Sequence, residues 1–224
     1  METKSLAMGE SIRYGWNTMK QHIGFFVVLL LVYIAISLAS SFLFGGIAMF
    51  TGDSAVLLFV ENVILMAFDL FLSLGLIRIT LSIIDNKKPE LKELFSEGKN
   101  MVDAIILYVL YSLIVIGGML LLVVPGIIWG IKYSQSFYLL VDKKMKPMDA
   151  LKQSGVMMQG VKMEYFGFSL LCGLIVLAGL LALIVGLFAA IPTITMAGTW
   201  IYRRLANQTN TPAATSMPMP PKMA

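Results

Sequence analysis

From Tyr165 to Tyr202 the chain carries no charged residue, and from Val102 to Val141 it carries only Asp103 and Lys132. Each run is close to twice the roughly 20 residues that a helix needs to cross a bilayer. Drawn out as one helix, either would extend roughly 55–60 Å at about 1.5 Å per residue, against a hydrocarbon core about 30 Å thick. Each run must therefore turn back on itself. Pro125-Gly126 marks the turn in one, and Gly186 with Pro192 marks it in the other. The expected helices cover 102–122 with 125–141, and 165–185 with 188–204. Pro125 suits the first turn of a returning helix, where its missing N–H leaves nothing unsatisfied. Pro192 falls just inside the last helix, where it can kink it.

Two more apolar runs come first. Ile23 to Gly52 is uncharged and gives a helix over 23–45 and a short loop from Gly45-Gly46 to Ser54. Val56 to Ile84 gives a helix over 56–82, interrupted by Glu61, Asn62, Asp69 and Arg78. The chain is 58% hydrophobic and 13% charged. That charged share is about half of the roughly 25% of a soluble domain, so lipid has to cover what water cannot. The fold class that follows is all-α: an integral membrane helical bundle of about six transmembrane helices in three hairpins, one domain over 1–206. The first apolar run begins too far into the chain, and is too long, for a cleavable leader.

The net charge of +4 raises nucleic acid as a partner. The distribution argues against it, because the basic residues flank the apolar runs. Arg13 and Lys20 precede the first helix. Lys87, Lys88, Lys92 and Lys99 follow the second, and Lys143, Lys144, Lys146, Lys152 and Lys162 follow the fourth. Arg203 and Arg204 end the sixth, and the other three turns carry none. The positive-inside rule puts the basic side, and both termini, in the cytoplasm.

The basic segments are patterned as well. Ile12, Trp16, Met19 and Ile23 recur at helical spacing, as do Leu91, Leu94, Phe95 and Val102. Met148, Leu151, Gly155 and Met158 make a third stripe. They read as three short amphipathic helices, each leading into a hairpin, which either lie in the membrane interface or pack under the bundle. Asp85-Asn86-Lys87-Lys88-Pro89 and Asp142-Lys143-Lys144-Met145-Lys146-Pro147 resemble each other, as do 113–118 and 174–179. The chain therefore reads as three parallel units. The tail over 207–224, rich in Thr, Pro, Ala and Met, has no apolar period and is expected to be disordered.

Candidate chemistry is sparse. Asp69 stands near the middle of the second helix, where a carboxylate costs at least ~2.5 kcal/mol. Asn62 and Ser73 share its face, and Glu61 lies two turns nearer the outer end. The group is either a proton or cation step on a conduction path or a polar contact inside the bundle, with Lys132 or the tyrosines of the third helix as partners. Arg13, Lys20, Lys87, Lys88, Lys143, Lys144, Arg203 and Arg204 are the candidate contacts to lipid head groups. One Cys and one His exclude a disulfide framework and a multi-His metal site, and no motif calls for a cofactor.

Short motifs spread along the chain carry a likeness: Tyr14-Gly15-Trp16, Lys88-Pro89 to Leu94-Phe95, Val124-Pro125-Gly126-Ile127-Ile128 with Tyr133, and Asp142. Ala150-Leu151-Lys152-Gln153-Ser154, Gly160, Gly186, Pro192 and Tyr202 continue it. With these the chain resembles a group of bacterial membrane proteins related to the membrane domain fused to some glycerophosphodiester phosphodiesterases. The resemblance implies a multi-pass protein of the bacterial inner membrane. It does not carry over the phosphodiesterase activity, which belongs to a separate domain whose residues are not found here. The function expected is non-enzymatic: a lipid-associated scaffold or accessory subunit at the cytoplasmic leaflet. Its partners would be anionic lipids and a protein partner or second copy. The alternative is a small transporter or oligomeric channel using Asp69.

Overall fold

The computed structural model describes residues 5–51, 55–182 and 186–209. The described residues are all-helical, with no strands. Helix α1 covers Met8–Gln21, α2 Ile23–Thr51 and α3 Ala55–Ile84. A 3₁₀ segment over Leu91–Asn100 leads directly into α4, Met101–Leu121. Then follow α5, Val123–Tyr133, α6, Ser136–Lys143, and α7, Pro147–Met157. Helix α8 covers Lys162–Leu181 and α9 Leu187–Gln208. Four helical stretches are long and apolar enough to cross a membrane: Ile23–Phe42, Ala55–Ile84, Leu91–Leu121 and Lys162–Leu181.

Three elements differ from expectation, each for a local reason. Helix α2 continues through Gly45-Gly46 to Thr51, because glycine without proline weakens a helix by only about 1 kcal/mol and does not end it. The helix expected over 125–141 is broken into α5 and α6. Ser154 of α7 inserts its hydroxyl at the break: Oγ donates to the Lys132 carbonyl at 2.9 Å and accepts the Gln135 N–H at 3.2 Å. A side chain placed in the ladder is a sufficient cause of a break. With 11 residues, α5 is about 16 Å long, roughly half a hydrocarbon core. The segment after Lys88 is 3₁₀ rather than α. Of the expected disordered tail, residues 210–224 lie outside the described residues.

The turn between α4 and α5 is one extended residue, Leu122, and Pro125 falls in the first turn of α5 as anticipated. So tight a return requires small residues: a Cβ on Gly118 would stand 2.8 Å from Gly126 Cα. Gly186 meets Gly179 in the same way where α9 returns along α8, again at 2.8 Å. Pro192 sits inside α9 without ending it.

The buried core lies at the basic end of the helices. It gathers Ile79 to Ile84 of α3, Leu139 to Val141 of α6, Ala150 to Met157 of α7 with Met158 beyond it, and Met196 to Ala206 of α9. Away from this base, Leu31, Leu38, Val56, Val60, Leu113, Leu120 and Leu174 stand exposed, the surface expected of a helix facing lipid.

Each amphipathic segment docks on a longer apolar stretch of the chain. The 3₁₀ segment lies along α3, and a Cβ at Gly75 would collide with the backbone of Leu94. Helix α7 lies on α5, with Gly155 over Lys132. Helix α1 lies on α9, where a Cβ at Gly15 would collide with the Thr193 carbonyl. The first segment of the chain thus rests on its last helix. Docking also moves the buried faces away from the expected stripes. On α1 the covered residues are Ser11, Tyr14, Gly15, Thr18 and Met19, while Trp16 and Ile23 are about half exposed. On the 3₁₀ segment Leu94 and Glu97 are covered and Phe95 is not.

Candidate functional site

The most concentrated chemistry is a charged cluster inside the base. Arg203 of α9 is 2% exposed. Its Nη1 donates to both carboxylate oxygens of Asp142 at 3.0 Å, and its Nη2 donates to Asp85 Oδ2 at 2.8 Å. Tyr202 Oη donates to Asp142 Oδ2 at 2.7 Å, and the Lys143 ammonium lies 3.5 Å from the same oxygen. Two carboxylates thus face two cations, the balance that makes burial of ions tolerable. The network joins the end of α3, the end of α6 and the last turns of α9.

A second tie runs beside it. Glu97 of the 3₁₀ segment is 2% exposed; it accepts from Lys144 Nζ at 2.6 Å and from Asn100 Nδ2 at 2.5 Å. On α1, Tyr14 is buried, and burial raises its pKa. The charge of Asp85 adds to the rise, and a hydrogen bond with Thr18 opposes it.

The eight cations expected at lipid head groups therefore divide. Arg13, Lys20, Lys87 and Lys88 are exposed. The Lys20 ammonium lies 5.7 Å from the Trp16 ring centroid. Arg204 is partly exposed over the Trp200 ring, with Nε donating to the Ser5 carbonyl at 2.8 Å. Lys144 keeps half its side chain exposed while holding Glu97. Arg203 and Lys143 do not fit that role: their side chains are 3% and 4% exposed, and both are turned on buried carboxylates. The two similar Asp-Lys-Pro loops carried a signal for this. Asp85 and Asp142 hold matching places in them, and a basic residue ends the sixth apolar run. Only the fold puts the three together.

Asp69 is exposed on α3 rather than turned into the bundle. Neither Lys132 nor a tyrosine of α4 is its partner. Tyr33 of α2 donates to Asp69 Oδ1 at 3.4 Å, a long bond. Ser73, one turn on, faces a cleft of about 300 Å³ between α2, α3 and α9, together with Tyr33, Leu72 and Pro192. Glu61 and Asn62 stand about two turns further out along α3. Among the described residues no group of three or more His, Cys, Asp or Glu is placed to hold a metal ion.

The arrangement is suited to closure of the base. Buried charges tie α3, α6 and α9 together, while Arg13, Lys20 and Lys152 of the docked segments, and Lys87 and Lys88 of the loop before the 3₁₀ segment, are exposed. No protein-family model, curated protein or solved structure matches the chain.

Proposed function

We propose that this chain is a non-enzymatic, multi-pass membrane scaffold or accessory subunit whose basic end lies in the cytoplasmic leaflet and gathers anionic lipid. One observation carries the reading. The charges within the base are paired with one another, while lysines of the docked segments stand exposed at the same end of the apolar helices. Each exposed Lys or Arg near an anionic leaflet contributes about 1 kcal/mol of attraction.

The layout that goes with it is three hairpins and six passes, all returning to the basic side, with both termini there. Helices α5 and α6 together make the fourth pass and α9 the sixth. The spacing of the three docking contacts supports this. Gly75, Lys132 and Thr193 meet the docked segments, and each stands ten positions before a residue of the charged cluster (75 to 85, 132 to 142, 193 to 203). The resemblance to the membrane domain of glycerophosphodiester phosphodiesterases suits a bacterial inner membrane.

Extraction of the protein with its surrounding lipid in polymer discs tests the proposal. The anionic share of the co-extracted lipid should exceed that of the source membrane. An equal share, with no co-purifying protein, overturns the reading. The contact between Tyr33 and Asp69 in the α2–α3 arm keeps a transport role as the second reading. If proton and cation flux in liposomes match protein-free vesicles for both wild type and Asp69→Asn, transport is ruled out.

A further inference from the structure

The three docking junctions are alike in position and unlike in construction. At two of them backbone rests on backbone, Gly75 against Leu94 and Gly15 against Thr193. At the third, the equivalent place is held by Lys132, and its side chain runs beneath Gly155, with Cε 3.1 Å from where a Cβ would stand. The Ser154 hydroxyl bridges the two backbones there. Beside this junction a cleft of about 390 Å³ opens between α4, α5 and α7.

Lys132, Lys152 and Gln159 line the cleft together with the apolar Leu110, Ile114, Leu151 and Val156. No carboxylate lines it. Neither lysine takes part in an ion pair among the described residues, and the Lys132 ammonium instead lies 4.8 Å from the Tyr133 ring centroid. The apolar lining continues onto the exposed face of α4 at Val109 and Leu113, which faces hydrocarbon in the membrane reading. Two cations and several apolar side chains in one cleft match an amphiphilic anion rather than a free one.

We infer that this cleft binds one anionic glycerophospholipid, with its phosphate between Lys132 and Lys152 and an acyl chain along Leu110 and Ile114. The site rests on the membrane reading above and gives it a specific place. Two junctions close backbone on backbone, and the third opens beside the cleft. Each lysine should contribute about fivefold in affinity, from about 1 kcal/mol per cation at 1.4 kcal/mol per tenfold.

The test is native mass spectrometry of the full chain in neutral detergent, titrated with phosphatidylglycerol and with phosphatidylcholine of the same chains. Wild type should retain one phosphatidylglycerol in preference. Lys152→Gln, on an exposed side chain, should weaken it about fivefold, and adding Lys132→Met about 25-fold, with Lys132→Arg restoring most of the loss. Lys87→Gln with Lys88→Gln, in the loop before the 3₁₀ segment, should leave that one lipid in place. If the double variant at Lys132 and Lys152 keeps it as wild type does, the site is wrong while the broader lipid reading stands. If wild type shows no preference for phosphatidylglycerol, both fail. If millimolar inorganic phosphate displaces the lipid completely, the acyl chain contributes nothing and the lipid assignment is overturned.

Discussion

Replacing Arg203 with Met is the sharpest single perturbation of the base. Met keeps the length and apolar stem of the side chain but removes the charge from two carboxylates. Their side chains are 9% exposed for Asp142 and 24% for Asp85. Breaking a buried pair by removing one partner costs about 3–5 kcal/mol, because the remaining charge stays buried. Asp85 is open enough to rehydrate, which puts its share near the 0–1 kcal/mol of surface pairs. Lys143, 3.5 Å from Asp142 Oδ2, offsets a part of the loss. The expected net cost is about 3 kcal/mol. At roughly 2–4 °C per kcal/mol for a chain of this length, the melting midpoint falls by roughly 6–12 °C. Tryptophan fluorescence on heating the purified protein reads this, since Trp200 is buried one turn before Arg203. Asp142→Asn should cost less, about 1–3 kcal/mol, because Tyr202 Oη still has an oxygen to donate to. In the double variant the two losses should fail to add by about 0.5–3 kcal/mol. An Arg203→Met midpoint within about 0.5 kcal/mol of wild type, the range of an ordinary surface change, refutes the closure of the base by this cluster.

Five further substitutions probe the docking contacts, the helix break and Asp69. Gly75→Val and Gly15→Val must each separate two backbones and should cost about 1–3 kcal/mol by overpacking, whereas Gly117→Ala, which meets nothing within 4 Å, should be neutral or stabilising; thermal midpoints compare them. Ser154→Ala leaves the Lys132 carbonyl and the buried Gln135 N–H without their shared hydroxyl and should cost about 1–3 kcal/mol in the same melt. Asp69→Asn, whose hydrogen bond is long and exposed, should shift the midpoint by less than about 1 kcal/mol.

The long helices were legible because length against bilayer thickness leaves few alternatives. The tight return at Leu122 was legible through Pro125-Gly126. The docked segments were half legible. Their apolar stripes announced helices, but α1 buries Gly15 and Thr18 rather than Trp16, since it has to approach the backbone of α9 and a large residue would hold it away. Periodicity reports apolar faces and is silent about close contact through small ones. The break at Ser134-Gln135 depends on a serine about twenty positions later, which no local pattern contains. Arg203 misled for a related reason. A basic residue at the end of an apolar run reads as a topology signal, and its pairing with Asp85 and Asp142 joins positions 118 and 61 residues apart.

In the proposed layout all three docking junctions lie on one face of the membrane. In a Cys172→Ala background, Glu10→Cys, Lys87→Cys and Lys146→Cys place single exposed thiols on the first segment and just ahead of the other two. A membrane-impermeant maleimide should leave all three unlabelled in intact cells and label all three in inside-out vesicles. Labelling of any one of them from outside intact cells contradicts the account.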